Sequence, residues 1–422
     1  MRSFRVLPLV GLLVAGCALP EEELGAGPQP EVPPAAVGET VVVDPRVGAL
    51  QLYAAGEEAS LPVISLTGND RLQLEFDLVG QEFGSQLEVA FVHTDREGNV
   101  DLLPNEYLTR FETDRITDYE RSGASVRVPY VHYRYTFPND NVGFGVSGNY
   151  RVLVRDGEDV LFDAPFFVSE QLADVQLAFG STVQGGTVGF ATQPAARLRP
   201  DPQLQEYDGS LYTVCFGRNG RTDALRCAPE PSLVDLALFQ FYLPREAAFA
   251  EAPPLFELDL GYLAPNGEIA EVDRAVTPPA ALLELDYLEF GGEVRQAVLA
   301  TATLIGGAYG DVGRADLDAQ YVETTFRLVP PGGRQSPRRV YVVGPFTGWR
   351  ATPAGEMRWV DALGRYEATL LLKQGRYVYG YRGDREQTPG LGAPSLFTAY
   401  VYLSDPRRFT DRLIAVQSGI AR

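Results

Sequence analysis

The sequence predicts an all-β protein built from β-sandwich domains in tandem. Apolar and polar residues alternate over short runs, and Leu72–Leu78 (LQLEFDL) alternates strictly, as expected for a strand with one buried face. The 43 glycines and 31 prolines supply turns between such runs, and no long segment shows helical periodicity. Together these features are typical of many short strands packed in two layers.

Length and composition limit the number of domains. The chain has 422 residues, which corresponds to about two to four domains of ordinary size. Its 22 Phe and 21 Tyr can fill several small cores. We expect a lipoprotein signal peptide at residues 1–17 and a disordered tether at 18–40. Three β domains should follow, at residues 41–170, 171–332 and 333–422.

The charge balance excludes some classes of partner. The net charge is −20, which opposes sequence-independent binding to nucleic acid and electrostatic docking onto anionic lipid. The basic residues are almost all arginine, and Lys373 is the only lysine. The charge therefore bears on solubility and choice of partner but not on the fold.

The N-terminus carries the most specific local signal. Arg2 and Arg5 precede the apolar stretch Val6–Gly16, which is too short to span a bilayer. Leu13–Cys17 (LVAGC) has the order of a bacterial lipobox, in which small residues admit the peptidase and the cysteine thiol receives diacylglycerol. An ordinary signal peptide with a chance cysteine is the alternative. We expect a lipid anchor at Cys17.

The segment after Cys17 predicts a tether. Glu21–Glu23 is followed by four prolines, and large apolar residues are few. Such a segment cannot bury enough surface to fold. We expect it to hold the folded part away from the membrane.

The three predicted β domains rest on separate sets of strands. In the first, strands are expected at Leu72–Leu78, Leu87–Val92, Ser125–Phe137 and Tyr150–Arg155. In the second, they are expected at Leu211–Phe216, Phe256–Leu263, Leu282–Phe290 and Tyr321–Val329. In the third, they are expected at Arg339–Gly344, Tyr366–Leu372, Arg376–Tyr381, Leu396–Leu403 and Arg412–Val416. Pro330–Gly333 (PPGG) marks the break before the third domain.

Two cysteines remain after the lipobox, Cys215 and Cys227. Asn219-Gly220 between them is typical of a tight hairpin turn, so both could lie on facing strands. An exported protein can form disulfides, which makes a bridge plausible. Two unpaired thiols are the alternative, because spacing does not determine geometry.

Two glycine motifs resemble a cofactor-binding and a catalytic motif, but the secondary structure or the residues that those motifs require are missing. Gly143–Gly148 (GFGVSG) has the spacing of a dinucleotide fingerprint, yet a strand follows it where a helix is required. Ser147 fails as a nucleophile elbow, because Asn149 occupies the position of the second glycine. We interpret these glycines as a hairpin loop and expect no cofactor.

The chain contains two histidines, His93 and His132. His93 and Asp95, with His132 on a neighbouring strand, could supply metal ligands. No HxH or HExxH spacing supports this, so we favour hydrogen-bonded structural histidines and expect no metal and no catalytic residue.

An aromatic turn distinguishes the third domain. Gly344–Trp349 (GPFTGW) places Phe346 and Trp349 where they could contact a partner protein or a glycan. The alternative, which we favour, is a tryptophan that folds back to cap the sandwich.

The first domain resembles the first domain of type IX secretion system plug proteins. The matching segments stand in the family's order: Leu74–Asp77, Val92–Asp95, Leu102–Leu108 with Phe111, Tyr130–Tyr133, Phe137–Asp140 and Ser147–Tyr150. The last third is similar to that family at Gly344–Phe346, Trp349, Leu372–Gly375, Tyr377, Tyr379 and Tyr381. We expect immunoglobulin-like or E-set-like sandwiches. His93 and Asp95 match a motif of the family, and we regard them as structural.

The resemblance also implies a function. Plug proteins are thought to close the periplasmic mouth of a very large outer-membrane translocon barrel, without catalysis. We therefore expect an outer-membrane lipoprotein on the periplasmic face whose partner is that barrel. The last domain also resembles the E-set sandwiches that accompany glycogen-active enzymes, so a surface glycan-binding lipoprotein is the alternative. Glu21–Glu23 beside the lipidated cysteine would fit the cell surface.

Overall fold

Strands dominate the computed structural model, which confirms the predicted all-β class with tandem sandwiches. The structure describes residues 38, 40–183, 190–235, 238–290, 294, 296, 298–306, 314–383 and 394–421. All of these residues lie in one unit, Ala35–Arg422. Among them, no helix has the length and apolar character needed to cross a membrane.

The first sandwich has two facing antiparallel sheets. Its strands are β1 (Val41–Val42), β2 (Val47–Ala54), β3 (Val63–Ser65), β4 (Leu72–Val79), β5 (Leu87–Thr94), β6 (Thr113–Ile116), β7 (Asp118–Arg121), β8 (Tyr130–Phe137), β9 (Gly148–Asp156) and β10 (Asp159–Ser169). One sheet has the order β1-β10-β9-β5-β6, with β3 parallel to β10, and the other has the order β2-β4-β8-β7. The alternating apolar residues of β4 are fully buried between them, as the pattern predicts.

The second sandwich combines strands from two distant parts of the chain. It contains β11 (Ala173–Val183), β12 (Phe190–Pro200), β13 (Tyr212–Arg218), β14 (Arg221–Ala228), β15 (Leu233–Asp235), β16 (Leu238–Tyr242) and β17 (Phe249–Ala250). One sheet has the order β11-β12-β16-β15, with β17 on β12. The other sheet begins β14-β13 and is completed by strands from the C-terminus, described below.

Within the described residues, the third group of strands forms one curled sheet that encloses a core, and we call it the third sandwich. Its members are β18 (Phe256–Asp259), β19 (Ile269–Asp273), β20 (Ala280–Tyr287), β21 (Leu304–Ile305), β22 (Tyr321–Val329), β23 (Val340–Val343), β24 (Glu356–Val360), β25 (Arg365–Lys373) and β26 (Gly375–Arg382). Their order is β18-β26-β23-β24-β25-β22-β20-β19, with β21 on β26. A long twisted sheet tends to curl, which lets its two ends bury the same core.

The last strands return to the second sandwich. β27 (Ser395–Asp405) and β28 (Thr410–Ala421) form a hairpin, and β27 pairs with β13, with Tyr212 opposite Leu403. The complete second sheet has the order β14-β13-β27-β28. The third sandwich is therefore inserted between β17 and β27.

This topology differs from the boundaries predicted at 171–332 and 333–422. β22 and β25, on either side of residue 332, are neighbours in one sheet, with Tyr321 opposite Lys373. Pro330–Gly333 is thus a connection inside the third sandwich and not a domain break. Alternation identifies the buried face of a strand but not the strand that pairs with it, which is why the sequence pattern misplaced this boundary.

Short helices and loops connect the strands. Gly143–Gly148 lies in a loop that carries the chain from β8 in one sheet to β9 in the other, so it is not a hairpin loop as predicted. The α-helices are α1 (Pro104–Tyr107) and α2 (Ala315–Asp318). The 3-10 turns are Pro202–Leu204, Gly209–Leu211, Arg245–Ala247, Leu288–Phe290, Pro331–Gly333, Pro345–Thr347, Pro353–Gly355 and Asp361–Leu363.

Candidate functional site: polar junctions between the sandwiches

Both histidines lie at junctions between sandwiches. His93 on β5 is linked through Asp101 to the second sandwich. His132 on β8, in the opposite sheet, is linked through Asp77 to the third. The metal alternative required neighbouring strands, but β5 pairs with β6 and β9, and β8 pairs with β4 and β7. Among the described residues, no group of three or more His, Cys, Asp or Glu side chains could hold a metal ion.

A buried chain of hydrogen bonds starts at His93 and crosses to the C-terminal hairpin. The His93 side chain is fully buried, and its Nδ1 lies 2.6 Å from Asp101 Oδ1. The Thr410 hydroxyl donates to Asp101 Oδ2 at 2.5 Å. His93 Nε2 lies 3.2 Å from the carbonyl oxygen of Ser147. Both ring nitrogens therefore face oxygen atoms of the protein.

The environment of Asp101 favours its ionised form. Burial alone would raise the pKa of its carboxyl, but the hydrogen bonds from His93 and Thr410 outweigh burial and hold the pKa below the ordinary value of 3.8. The carboxylate thus accepts from both sandwiches at neutral pH. Asp101 acts as a polar link between them.

A second link at this junction pairs Glu170 with Arg412. Arg412 Nε donates to Glu170 Oε1 at 2.8 Å, and Nη2 donates to Oε2 at 2.5 Å. Ser147 Oγ donates to the same carboxylate at 2.6 Å. A bidentate arginine–carboxylate pair fixes orientation as well as distance. Ser147 is therefore committed to a structural hydrogen bond.

The same junction uses other residues of the first-domain motif. The Tyr402 hydroxyl donates to Asn149 Oδ1 at 2.9 Å, and Asn149 Nδ2 donates to the carbonyl oxygen of Asp95 at 3.0 Å. The Asp95 carboxylate also accepts two backbone N–H groups in its own turn. Gly148 has a φ of 149°, and a Cβ there would lie 2.4 Å from His93 Nε2. These residues therefore shape the interface between the first and second sandwiches.

The junction between the first and third sandwiches contains a buried ion pair. Lys373 Nζ lies 2.7 Å from Asp77 Oδ2, with side-chain exposures of 1% and 0%. Lys373 also donates to the Asp316 carbonyl oxygen at 2.7 Å and lies 4.2 Å from the Tyr130 ring centroid. The only lysine of the chain is thus used to satisfy one buried carboxylate.

The Asp77 carboxylate is shared by three side chains. The Tyr321 hydroxyl donates to Oδ2 at 2.7 Å, and His132 Nδ1 lies 2.8 Å from Oδ1. Burial and the nearby Asp77 charge raise the pKa of Tyr321 well above its usual range, so its hydroxyl stays protonated and can donate. His132 Nε2 is buried and has no hydrogen-bond partner in the part of the chain that the structure describes. The Asp77 cluster therefore joins β4 and β8 to β22 and β25.

Trp349 folds inward, as the favoured alternative expected. Its side chain is 4% exposed, its indole N–H donates to the Ala300 carbonyl oxygen at 3.1 Å, and Arg221 lies over its ring. Phe346 is half-buried and packs against Phe326 and Tyr377. The Trp349 ring therefore has little exposed surface.

The two later cysteines face each other on a hairpin. Cys215 on β13 is opposite Cys227 on β14, and their sulfur atoms are 1.97 Å apart. Asn219 and Gly220 have positive φ values of 56° and 77°, as a tight turn with Asn-Gly requires. Cys17, the predicted lipidation site, lies outside the described residues, as do nearly all residues of the predicted tether.

Sequence reasoning missed several residues of these junctions. Asp77 lies on the polar side of the β4 alternation, so the pattern predicted an exposed side chain. Lys373 is the only lysine in a chain of net charge −20, which could have indicated a specific role for it. Its partner, Asp77, is evident only from the fold. Nothing in the local sequence around Arg412 indicated Glu170, which is more than 200 residues away.

Comparisons with known proteins agree with this architecture. Residues 47–170 match the family model described as "Type 9 secretion system plug protein 1st domain", which confirms the resemblance of the first domain. No curated protein matches the sequence. The chain is similar to the crystal structure of a hypothetical protein from Parabacteroides merdae, at 22% identity and a TM-score of 0.80. The alignment covers 91% of this chain and 99% of that one, a likeness of fold alone.

Proposed function

We propose, from the plug-type first domain at residues 47–170, that this chain is a non-enzymatic envelope protein that blocks the periplasmic side of the type 9 secretion translocon. The match to the plug-protein domain is the observation that carries this proposal. The predicted chemistry residues support it, because the two histidines and Ser147 hydrogen-bond to carboxylates that in turn contact the other sandwiches. A protein that blocks a channel needs a stable shape and no reactive group.

The junctions supply the stiffness that a plug requires. Contacts between domains of one chain are ordinarily mobile unless the interface is large or strongly held. Here one junction has the Glu170–Arg412 pair and the other has the buried Asp77–Lys373 pair. Separating the sandwiches would expose or unpair these charges, which is costly. We therefore expect the sandwiches to move as one body.

Lipidation at Cys17 completes the proposal. Acyl chains on this cysteine would hold the body at the outer membrane, on the periplasmic face, and the following segment would set its reach. A tether raises the effective concentration of a binding partner without any new contact. A Cys17→Ser variant should be exported yet released into the soluble periplasmic fraction, with an unchanged fold by circular dichroism.

The test of the proposed function is purification from the native envelope. An affinity tag at the C-terminus should recover a very large outer-membrane barrel under mild detergent, and deletion of the gene should release periplasmic protein into the medium. A strain lacking an unrelated outer-membrane lipoprotein is the control for leakage. Recovery of no translocon subunit, with the tagged chain intact, would remove the basis of this proposal.

A further inference from the structure

The turn between β27 and β28 presents an exposed aromatic side chain. Phe409 is 87% exposed and has a φ of 55°, in the left-handed region that an aromatic residue rarely adopts. A non-glycine residue in this conformation is strained, and large apolar side chains favour burial. Exposure combined with backbone strain at one residue points to a use outside the folded chain.

The turn is held rigidly by hydrogen bonds. Asp405 is buried, and its side chain accepts from the Arg407 N–H at 2.9 Å. The Asp405 carbonyl oxygen accepts from the N–H groups of Arg408 and Phe409. The next residue, Thr410, is bound to Asp101. The turn is therefore ordered before any partner arrives, which lowers the entropic cost of binding.

The first sandwich adds further apolar surface beside this turn. Asp101, which binds Thr410, is flanked by Val100 at 70% exposure and followed by Leu103 at 66%. Apolar residues from two sandwiches are thus brought to the same edge of the junction. Exposed apolar residues grouped beside one junction are typical of interaction sites on soluble proteins.

Charge indicates what the turn binds. Arg407 and Arg408 are exposed, and within the described residues their guanidinium groups have no hydrogen bond or ion pair. In a chain of net charge −20, these two arginines place positive charge beside an exposed phenylalanine. Arginine and aromatic residues are enriched at the centres of protein interfaces.

We infer that the Pro406–Phe409 turn, with Val100 and Leu103, docks onto a partner protein that offers an apolar pocket rimmed by carboxylates. This inference rests on the proposed function and names the contact surface: the partner is a protein at the periplasmic rim of the translocon. An anionic lipid surface is disfavoured as the occupant, because the chain as a whole is strongly acidic.

The first test places a photo-crosslinking phenylalanine analogue at position 409 of the full-length lipoprotein in its native strain. We expect an adduct with a translocon subunit, joined at a peptide rich in Asp and Glu. The matched control carries the analogue at Phe83, which is 83% exposed in the loop between β4 and β5. Adducts with lipid alone, or equal yields at both positions, would overturn the inference.

The second test compares co-purification of variants. Phe409→Ala and the double variant Arg407→Ala/Arg408→Ala should each reduce recovery of the translocon about tenfold or more. Phe83→Ala and Arg71→Ala, also at exposed side chains, should leave recovery unchanged. Equal thermal midpoints would show that all variants fold. If wild type recovers the translocon and the turn variants do so equally well, the docking turn is wrong but the plug function stands.

Discussion

At the scale of single residues, the junctions between the sandwiches depend on buried carboxylates that meet polar partners. Asp77 is surrounded by Lys373, Tyr321 and His132, and each contributes a polar atom within 2.8 Å. A buried ion pair is weak evidence of net stability, because desolvation offsets much of the attraction. Removing one partner, however, leaves an uncompensated charge in the interior.

The Lys373→Met variant should be strongly destabilised. We expect a loss of about 3–5 kcal/mol in the free energy of unfolding, measured by urea denaturation, because removing one partner of a buried ion pair leaves the other partner, Asp77, buried without it. The double variant Asp77→Asn/Lys373→Met should lose less than the single variant. Arg314→Ala, which breaks an exposed pair with Glu120, is the control and should leave the midpoint unchanged. A single variant as stable as wild type would contradict burial of the pair.

Asp101 predicts a pH dependence of stability. Its pKa is lower in the folded protein than its ordinary value of 3.8, so the unfolded chain binds the proton more tightly. The stabilisation is complete above pH 3.8 and is lost as the pH falls through the lower folded value. Asp101→Asn should therefore be less stable than wild type near pH 6, and the difference should shrink below pH 3.8. Urea midpoints across this range measure it, and a constant difference would contradict it.

At the scale of elements, the start of β9 determines the packing at the junction between the first and second sandwiches. The β13–β14 hairpin determines the position of the disulfide. β9 begins at Gly148, where no side chain fits between His93 and the carbonyl oxygen of Asp411. Here the lack of a Cβ is a packing requirement of the junction. In the hairpin, the bond between Cys215 and Cys227 joins two strands whose register places the cysteines directly opposite each other.

Gly148→Ala tests the close approach at β9. The added methyl group would lie 2.4 Å from His93 Nε2, so His93 or the C-terminal hairpin must shift. We expect a clearly larger loss of thermal stability than in Gly56→Ala, which also has positive φ but has no atom within 4 Å of the new Cβ. Equal losses in the two variants would mean that backbone strain alone matters at position 148.

The Cys215–Cys227 bond should form in the exported protein. Alkylation without reductant should leave both residues unmodified by mass spectrometry, and alkylation after reduction should modify both. The Cys215→Ser/Cys227→Ser variant should lose about 2–4 kcal/mol in the free energy of unfolding, because the disulfide lowers the conformational entropy of the unfolded chain. Full alkylation of the oxidised, unfolded protein would show that the thiols are free.

At the scale of the whole molecule, the insertion of the third sandwich makes the second depend on the chain terminus. β27 and β28 supply half of the sheet β14-β13-β27-β28, and residues of both strands contribute to its core. The same hairpin carries Arg412, Thr410 and Tyr402 to the first sandwich. The C-terminus therefore closes one sandwich and fastens it to another.

Truncation after Arg382 tests this arrangement. Without β27 and β28, the β13–β14 hairpin would expose its apolar face, so we expect the region 173–250 to become sensitive to trypsin. The third sandwich, with its own core, should stay resistant. The full chain, digested in parallel, is the control. If residues 333–422 instead behaved as an independent domain, truncation would leave 173–250 resistant and damage the third sandwich.

The sequence by itself determined the fold class and several of the individual strands. Tyr321–Val329 was predicted with the bounds that the structure shows, because alternation and β-branched residues report the local periodicity of a strand. The tight turn at Asn219-Gly220 could likewise be predicted, since its conformation depends on neighbouring residues alone. The family resemblance of the first domain also came from local motifs.

Only the tertiary structure decided which strands pair and which polar residues meet. β13 pairs with β27 across nearly 200 residues, and Asp77 meets Lys373 across almost 300. Periodicity specifies which face of a strand is buried, but partners so far apart in sequence are chosen by the packing of whole sheets. The buried links between sandwiches arise at that level, where the alternating pattern of one strand carries no information.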